Sequence, residues 1–464
     1  MSSRKRVAII GAGISGLSAA YYLARESEER GSDIEIHLIE RSERLGGVIR
    51  TERSGGFLFE WGPENFVPFK PEAVRLVKEL GLGHELIGSN DAIRQTYVVH
   101  QGKLHSLPDG MAFLAPVRLR PFWATPLLST RGKLRAMLEP FIPRSRGDLT
   151  VRAFLERRLG QELTERVAEP LVSAIYGGDI DELSIASALS DTYRTEQKHG
   201  SLWNGLRKAH GSGSSKLPFF MTLRSGMETL VDGLIETLRD RVVIQTRAEH
   251  LQVERRGGRF LLRNGGCTNH VYESVVSCVP ASAAADLLRP ISAISASELA
   301  EIRYTSTSLI YLGYKRSEFS HPLRGFGFVT PESESRVLDA CTWVSTKFDA
   351  RSPDDSVLLR CAVHDGRRPR TFSSDQEVAE QAHNEVRRLL SISCQPSFFR
   401  VAHLGKSMPQ MTLGHSRRLR EISRDVERHP GLFVTGPFFH GVGIPDCIRS
   451  ARQTVTQVLE FLKS

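Results

Sequence analysis

The chain has 464 residues and a formal net charge of +9, from 62 Lys and Arg against 53 Asp and Glu. Because single hydrophobic cores stop growing at about 250–300 residues, this length predicts two or three domains. The composition, 40% hydrophobic and 25% charged, is typical of a globular enzyme. The sequence has no zinc-finger spacing, RNP-like aromatic motif or basic tail, which argues against nucleic acid as a partner.

Six scattered cysteines without a CxxC pair predict reduced thiols rather than a disulfide framework or a metal site. No run reaches the ~18 apolar residues that a membrane span needs, and the first strand follows Met1 within a few residues, which predicts no signal peptide. We therefore expect a cytoplasmic protein with no transmembrane helix and no metal. Peripheral attachment to the inner face of the cell membrane stays open as an alternative.

The N-terminal segment VAIIGAGISG predicts a strand that runs directly into a glycine-rich turn and a helix. Gly11 permits the tight turn, Gly13 lets the backbone approach a pyrophosphate, and Gly16 allows close helix–strand packing. A second strand, IEIHLIE, ends at Glu40, whose carboxylate suits the hydroxyls of an adenosine ribose. The pattern predicts a dinucleotide-binding βαβ unit, with a glycine-rich turn that binds nothing as the alternative.

Phosphate-binding and flat-ligand elements follow in the next 30 residues. The paired Gly46-Gly47 exposes backbone donors, and Arg50 supplies a cation for phosphate oxygens. FEWGPENF at 59–66 places Gly62 and Pro63 where a flat ligand can approach. A helix is then predicted over 71–88, with Pro71 near its start and a stop at Gly81, followed by a hairpin over 95–107 with Gly102 in its turn.

The middle and end of the chain alternate between helical and strand patterns. Residues 129–210 predict a mostly helical lobe, and GSGSSK at 211–216 predicts a flexible linker. Residues 241–266 predict an antiparallel meander with turns at 257–258 and 265–266, and 274–281 predicts a further strand. Strands over 305–365 predict a second sheet that walls a substrate cavity. The chain closes with the strand GLFVTG, the loop PFFHGVGIP and a helix from about Asp446.

These motifs, in this order, resemble the flavin amine oxidase superfamily. GxGxxG, ExxxxxGGxxR and ExGP resemble its FAD-binding start, while EPLVSAIYGGDIDELSIASA (169–188), GFGFVTP (325–331), VPASAAADLL from 279 and GPFFHGVGIPDCIRSA (436–451) resemble the protoporphyrinogen and coproporphyrinogen III oxidases within it. The resemblance covers nearly the whole chain.

The resemblance implies an α/β fold (α+β mixed) with three parts. These are a discontinuous, Rossmann-like, glutathione-reductase-type FAD-binding domain (1–70, 218–282 and 405–464), an antiparallel-sheet substrate domain (71–107 and 283–404) and a mostly helical, membrane-docking lobe (108–217). It also implies FAD as the cofactor, bound by Gly11, Ala12, Gly13, Ile14, Ser15, Gly16, Glu40, Arg41, Gly46, Gly47, Arg50, Trp61, Gly62, Pro63, Glu64, Val243, Gly436, Val442, Gly443 and Ile444.

The implied activity is six-electron oxidation of a porphyrinogen, with molecular oxygen as acceptor and hydrogen peroxide as product. The catalytic group would be the backbone carbonyl of Gly178, for which a turn glycine is the alternative; substrate contacts would come from Arg94, Thr96, Val329, Leu338 and Val363. Related plant and animal enzymes place an arginine where this chain has Thr96, which favours coproporphyrinogen III over protoporphyrinogen IX. No histidine is paired with a Cys or a carboxylate at a telling spacing.

Three further hypotheses remain open. Phe113, Leu114, Phe122, Trp123 and other large apolar residues alternate with basic residues over 111–146, as at an anionic membrane surface, although the entrance lobe of a soluble enzyme would look alike. Handover of the porphyrin to ferrochelatase is the other partner hypothesis. The alternative functions are an amine oxidase or carotenoid desaturase on the same scaffold, and a porphyrin-binding flavoprotein without turnover.

Overall fold

A computed structural model describes residues 4–108, 111–112, 115–116, 118–210, 217–264, 267–366 and 370–463. The linker predicted at 211–216, the turn at 265–266 and the apolar pair Phe113 and Leu114 lie outside these ranges. No helix in the described part of the chain is both long and apolar enough to cross a bilayer.

The N-terminal third is mainly strands around a βαβ unit. Its elements are β1 (Lys5–Ile10), α1 (Ile14–Glu29), β2 (Ile34–Ile39), β3 (Thr51–Ser54), β4 (Phe57–Glu60), α2 (Glu72–Glu79), β5 (Leu86–Gly88), β6 (Thr96–His100) and β7 (Lys103–Ser106).

A helical lobe follows. Its elements are β8 (Met111–Ala112), β9 (Ala115–Pro116), α3 (Leu119–Ala124), α4 (Thr130–Met137), α5 (Val151–Leu159), α6 (Gln161–Leu163), α7 (Glu169–Tyr176), α8 (Ile185–Ala188), α9 (Ser190–His199) and α10 (Leu202–His210). A π-helical turn, Thr164–Ala168, joins α6 to α7.

The rest of the chain completes two sheets. Its elements are β10 (Met221–Leu223), α11 (Glu228–Leu238), β11 (Val243–Gln245), β12 (Gln252–Arg256), β13 (Arg259–Asn264), β14 (Cys267–Tyr272), β15 (Ser274–Ser277), α12 (Ala281–Leu288), α13 (Ala293–Ala300), β16 (Tyr304–Lys315), β17 (Gly327–Val329), β18 (Ala340–Trp343), α14 (Val344–Lys347), β19 (Ser356–His364), α15 (Asp375–Leu390), β20 (Phe398–Pro409), α16 (His415–Glu427), β21 (Leu432–Val434), α17 (Pro437–His440) and α18 (Ile444–Lys463).

A five-stranded parallel sheet forms the first layer, in the order β11-β2-β1-β15-β21. Side chains alternate along β1, so Val7 and Ile9 pack with α1, α11 and α18, while Ala8 and Ile10 pack on the opposite face with the β12–β14 meander and α12. Both faces of the sheet are therefore covered, as parallel sheets require. This confirms the predicted α/β fold class.

A seven-stranded sheet, in the order β20-β16-β19-β18-β17-β6-β7, forms the second layer. All of its pairs are antiparallel except β17 with β6. One face packs against α15, and the other faces β4 and the helical lobe. The predicted boundary between residues 404 and 405 falls within β20, whereas the wider division into three domains stays a prediction.

Three predicted elements differ from those observed. The helix predicted within 71–88 is α2, which ends at Glu79; Gly81, the predicted stop, has φ +74°, and the rest of the range forms a 3-10 turn and β5 instead of helix. The meander lacks β11, which pairs in parallel with β2 instead. The C-terminal loop contains α17, and the last helix begins at Ile444, two residues before the predicted Asp446.

Candidate active site

The glycine-rich turn joins β1 to α1 at the carboxyl edge of the parallel sheet. Gly11 has φ +97°, and its N–H donates to the Ile39 carbonyl at 2.7 Å. A Cβ on Gly16 would overlap the Gly11 carbonyl oxygen. These two positions therefore require glycine for backbone reasons, and they bring the N-terminus of α1 against the strand.

A second glycine turn lies beside the first. The Gly46 N–H donates to the Ala12 carbonyl at 2.8 Å, and Gly13 forms a β-bridge with Gly46. A Cβ on Gly13 would meet nothing nearer than Gly47 Cα, at 4.0 Å. The space beside Gly13 is thus open to a phosphate, next to the free N–H groups that begin α1.

An arginine other than the predicted Arg50 contacts this turn. Arg50 is exposed, whereas Arg44 folds over the Gly46-Gly47 turn and donates to the carbonyls of Ile49, at 2.8 Å, and Leu45, at 3.0 Å. Arg44 therefore holds the turn in shape. The sequence offered no way to choose between the two arginines, because both lie within a few residues of the glycine pair.

Glu40 directly follows β2, and its carboxylate binds the glycine turn. One carboxylate oxygen accepts from the Ala12 N–H at 2.8 Å, and the other accepts from the Ser42 N–H and hydroxyl, each at 2.8 Å. Arg41 is exposed beside it. The carboxylate is thus oriented at the point where a ribose would follow a pyrophosphate.

The predicted adenine contact, Val243, does not lie beside Glu40. Val243 pairs with His37, three positions before Glu40, which corresponds to about 10 Å along a strand. The backbone beside Glu40 is instead that of Ala248, whose N–H donates to the Glu40 carbonyl at 3.0 Å. The structure therefore does not support the prediction for Val243.

The segment 61–64 forms a wall at the same edge. Trp61 is buried, and a Cβ on Gly62 would overlap the Val48 carbonyl oxygen, so the two backbones run in close contact. The Gly62 carbonyl accepts from Arg360 Nη2 at 2.7 Å. Glu64 pairs with Lys347, a buried lysine that no sequence motif distinguishes from a surface lysine.

The C-terminal loop, residues 436–444, lies at the same edge of the parallel sheet and follows β21, the strand farthest from β11. Gly436 follows β21, and Thr435 hydrogen-bonds to the Ser277 carbonyl of β15 at 2.9 Å. Ile444 and Ile448 pack into the core that contains α1, while Val442 packs against the helical lobe. The loop therefore lies at the same edge as the glycine turn, with the N-terminus of α18 behind it.

Asp446, in the first turn of α18, ties this loop to the segment after the 61–64 wall. Lys70 Nζ donates to its two oxygens at 2.9 and 2.7 Å, and Arg449 also pairs with it. Next to it, burial raises the pKa of the Cys447 thiol to about 12, so Cys447 is a packed, unreactive thiol.

The predicted substrate residues fall on two different faces of the second sheet. Thr96 and Val98 share one face of β6, and Val98 and Val329 pack towards the helical lobe. Leu338 and Val363 pack with α15 on the opposite face, so the prediction that they contact substrate is wrong in this geometry. The guanidinium of Arg94 lies 3.7 Å from the centroid of the Phe219 ring.

Gly178 follows the left-handed Gly177 that ends α7. Its carbonyl accepts a hydrogen bond from the Ser173 hydroxyl at 3.2 Å, and a Cβ at this position would overlap the Gln410 amide oxygen. Packing against Gln410 is thus sufficient to explain the glycine. Burial and, next, the Asp446 carboxylate raise the pKa of Tyr176, which places this turn close to the C-terminal loop.

Among the residues that the structure describes, no three His, Cys, Asp or Glu side chains are grouped to hold a metal ion.

Four of the predicted flavin-binding segments, 11–16, 40–47, 61–64 and 436–444, do meet at one edge of the parallel sheet. This is the edge at which open α/β folds bind dinucleotides.

Fold and site together define a dinucleotide-binding protein of the Rossmann type with a second, sheet-walled lobe. The family model for flavin containing amine oxidoreductases matches residues 14–459. The chain belongs to that family, is an FAD-dependent oxidoreductase, and the predicted resemblance is confirmed.

Three relatives resemble the chain over its full length. It is 35% identical to the coproporphyrinogen III oxidase of Bacillus subtilis (strain 168), covering 99% of each chain. It is 31% identical to the protoporphyrinogen oxidase of Homo sapiens, covering 98% of each chain. A crystal structure from Exiguobacterium sp. 255-15, named provisionally as a protoporphyrinogen oxidase, matches with a TM-score of 0.87 and 30% identity over 100% of both chains.

Proposed function

We propose that this protein oxidises a porphyrinogen to a porphyrin in haem biosynthesis. The observation that carries the proposal is the full-length similarity to enzymes named for this reaction, at 35% identity in the Bacillus subtilis relative. FAD would supply the hydride acceptor for a meso carbon of the substrate, and the proton lost from a pyrrole nitrogen would end, with the hydride, in the hydrogen peroxide. Six electrons leave in three two-electron cycles, and oxygen takes them up as hydrogen peroxide.

One group of residues would bind the flavin, and a second group would bind the substrate. The 61–64 segment and the C-terminal loop would hold the flavin ring, and the macrocycle would bind beside the face of the second sheet that carries Val329. Arg94, at the start of this face, is the proposed partner for a substrate propionate. The second lone pair of the Gly178 carbonyl is the proposed acceptor for the pyrrole N–H.

Aerobic turnover tests the function. The FAD-loaded chain is supplied with coproporphyrinogen III and, separately, protoporphyrinogen IX, and porphyrin fluorescence and peroxide are both measured. We expect three peroxides for each porphyrin, at a rate well above the protein-free oxidation control. Porphyrin binding without acceleration would identify a non-catalytic flavoprotein, and peroxide release with amines alone would identify an amine oxidase.

We further propose that the helical lobe docks on an anionic membrane surface. Leu119, Trp123, Leu134, Leu138 and Phe141 are exposed, by 39 to 82%, and the exposed Arg118, Arg120, Arg131, Arg144 and Arg146 lie in the same stretch. Lys133 and Arg135, which the sequence grouped with them, instead donate inward to backbone carbonyls. Apolar side chains beside arginines suit the interface of an anionic bilayer.

Two finer proposals concern the cellular setting. We place the protein in the cytoplasm, with the helical lobe on the inner membrane face. Direct handover of the porphyrin to ferrochelatase would show as co-purification of the two proteins and as a coupled rate that free porphyrin added as a trap does not lower.

A further inference from the structure

Lys347 is a buried lysine at the end of α14, with 5% of its surface exposed. Its ammonium group pairs with the Glu64 carboxylate and lies 4.5 Å from the centre of the Phe220 ring, 5.2 Å from that of Phe348 and 6.0 Å from that of Phe326. Burying a lysine costs free energy that an ion pair offsets only in part. Glu64 is the carboxylate that partners it here.

This ion pair fixes Glu64, the last residue of the 61–64 wall, to α14. Arg360, on β19, donates to the Gly62 carbonyl at 2.7 Å and lies 4.0 Å from the Glu64 carboxylate. The Thr222 hydroxyl donates to the Glu64 carbonyl at 2.9 Å. Arg360 of the second sheet and Lys347 of α14 therefore hold the proposed flavin wall at Gly62 and Glu64 through charged side chains.

The group formed by Glu64, Lys347 and Arg360 carries one more positive than negative charge. Burial alone would raise the pKa of Glu64, but the charges of Lys347 and Arg360 outweigh that effect and hold it below its usual range. Burial lowers the pKa of Lys347, and the Glu64 carboxylate opposes that change. The positive excess is poorly screened, because water is largely excluded from these side chains.

We propose that Lys347 is a positioning residue that fixes the 61–64 wall through Glu64 and supplies the buried positive charge that favours the reduced, more negative flavin. The inference rests on the proposed flavin site. It assigns to the ion pair a role in the reduction potential, since charge near the ring tunes flavin electronics.

Flavin midpoint potentials separate this role from a purely structural one. K347M removes a positive charge and should lower the potential, shifting the oxidation–reduction equilibrium about tenfold, or ~30 mV for a two-electron couple. E64Q removes a negative charge and should raise the potential by a similar amount. K347R should stay near wild type, and so should the K347M/E64Q double variant, which removes one charge of each sign and leaves the net charge of the group unchanged.

The matched control is K103M, which removes an exposed lysine from β7 and should leave the potential unchanged. Shifts of the same sign in K347M and E64Q, or no shift in either, would overturn the inference. If K347M does not fold, the rise in E64Q and the wild-type value in K347R decide the matter. A wild-type chain that binds no FAD would instead refute the proposed flavin site itself.

Discussion

At the residue scale, a buried carboxylate beside the site makes the free energy of unfolding depend on pH. Glu60, at the end of β4, is buried and accepts from the Met227 N–H and the Thr51 hydroxyl, each at 2.8 Å. Burial raises the pKa of Glu60 to about 7, although these hydrogen bonds and Arg351 oppose the shift. A folded-state pKa above the unfolded value favours the native state in acid, and this contribution is lost as pH rises through about 7.

E60Q tests this sign. The amide of E60Q does not titrate, so only wild type should lose stability as pH rises. The free energy of unfolding of E60Q minus that of wild type should therefore increase by about 2–3 kcal/mol from pH 5 to pH 8. Urea unfolding at both pH values measures the difference. E427Q, at an exposed helix end, should parallel wild type; a parallel curve for E60Q would refute the assignment.

Thr96 is the residue that we expect to influence the choice of substrate. Thr96 lies on the face of β6 that packs towards the helical lobe, at the position where the family resemblance implies an arginine in the plant and animal enzymes. T96R adds a cation for a propionate and should shift the ratio of kcat/KM between protoporphyrinogen IX and coproporphyrinogen III towards the former by about tenfold. V363L, on the far face, is the matched control. An unchanged ratio in T96R would show that this face does not contact the substrate.

At the scale of elements, a buried ion cluster joins the helical lobe. Arg158 of α5 is fully buried, lies 3.0 Å from Glu139 and also pairs with Glu196 of α9. Its guanidinium further donates to the carbonyls of Ile142 and Gly200, each at 3.0 Å. Since removing one partner strands the others in a poorly solvated core, this cluster holds the helices in one arrangement.

R158M should lower the free energy of unfolding by about 3–5 kcal/mol, because it leaves the buried Glu139 without its cation and leaves Glu196 with only Arg157, at 3.9 Å. Urea unfolding followed by circular dichroism gives the value. R194M, which removes an exposed arginine from α9, should cost less than about 0.5 kcal/mol. Equal losses in the two variants would contradict the account of the cluster.

The sequence predicted which segments form strands, turns and helices better than it predicted which face of a sheet each side chain lies on. The GxGxxG turn, Glu40 and the C-terminal loop were predictable because each needs particular residue types at fixed spacing. Val363 was misplaced because alternation along β19 shows that two faces exist but not which one meets the flavin. Lys347 was missed because burial of a basic side chain depends on distant segments, and Arg44 was missed because Arg50 lies equally close to the glycine pair in the sequence.

At the scale of the whole molecule, the parallel sheet takes strands from both ends of the chain. β1 and β21 lie more than 420 residues apart in sequence, yet β15 joins them in the same sheet. The strand patterns at both ends of the sequence, together with the family resemblance, predicted one discontinuous domain, but local periodicity carries no information on which strands pair. The helical lobe is inserted between them and presents the proposed membrane surface.

Vesicle flotation tests that surface. We expect the chain to float with anionic vesicles and not with neutral ones, and an F141S/L138S variant to lose most of this binding. I294S, which removes an equally exposed apolar side chain elsewhere, should float as wild type does. Absence of flotation with anionic vesicles would contradict docking by this lobe.

The central claim is that a porphyrinogen reduces the bound FAD, and anaerobic mixing tests it most directly. The FAD-loaded chain is mixed without oxygen with coproporphyrinogen III and, separately, with protoporphyrinogen IX, while the flavin absorption is followed. We predict that the oxidised flavin spectrum bleaches with at least one of them and returns with peroxide when oxygen is admitted. An oxidised spectrum that persists with both substrates would contradict the account.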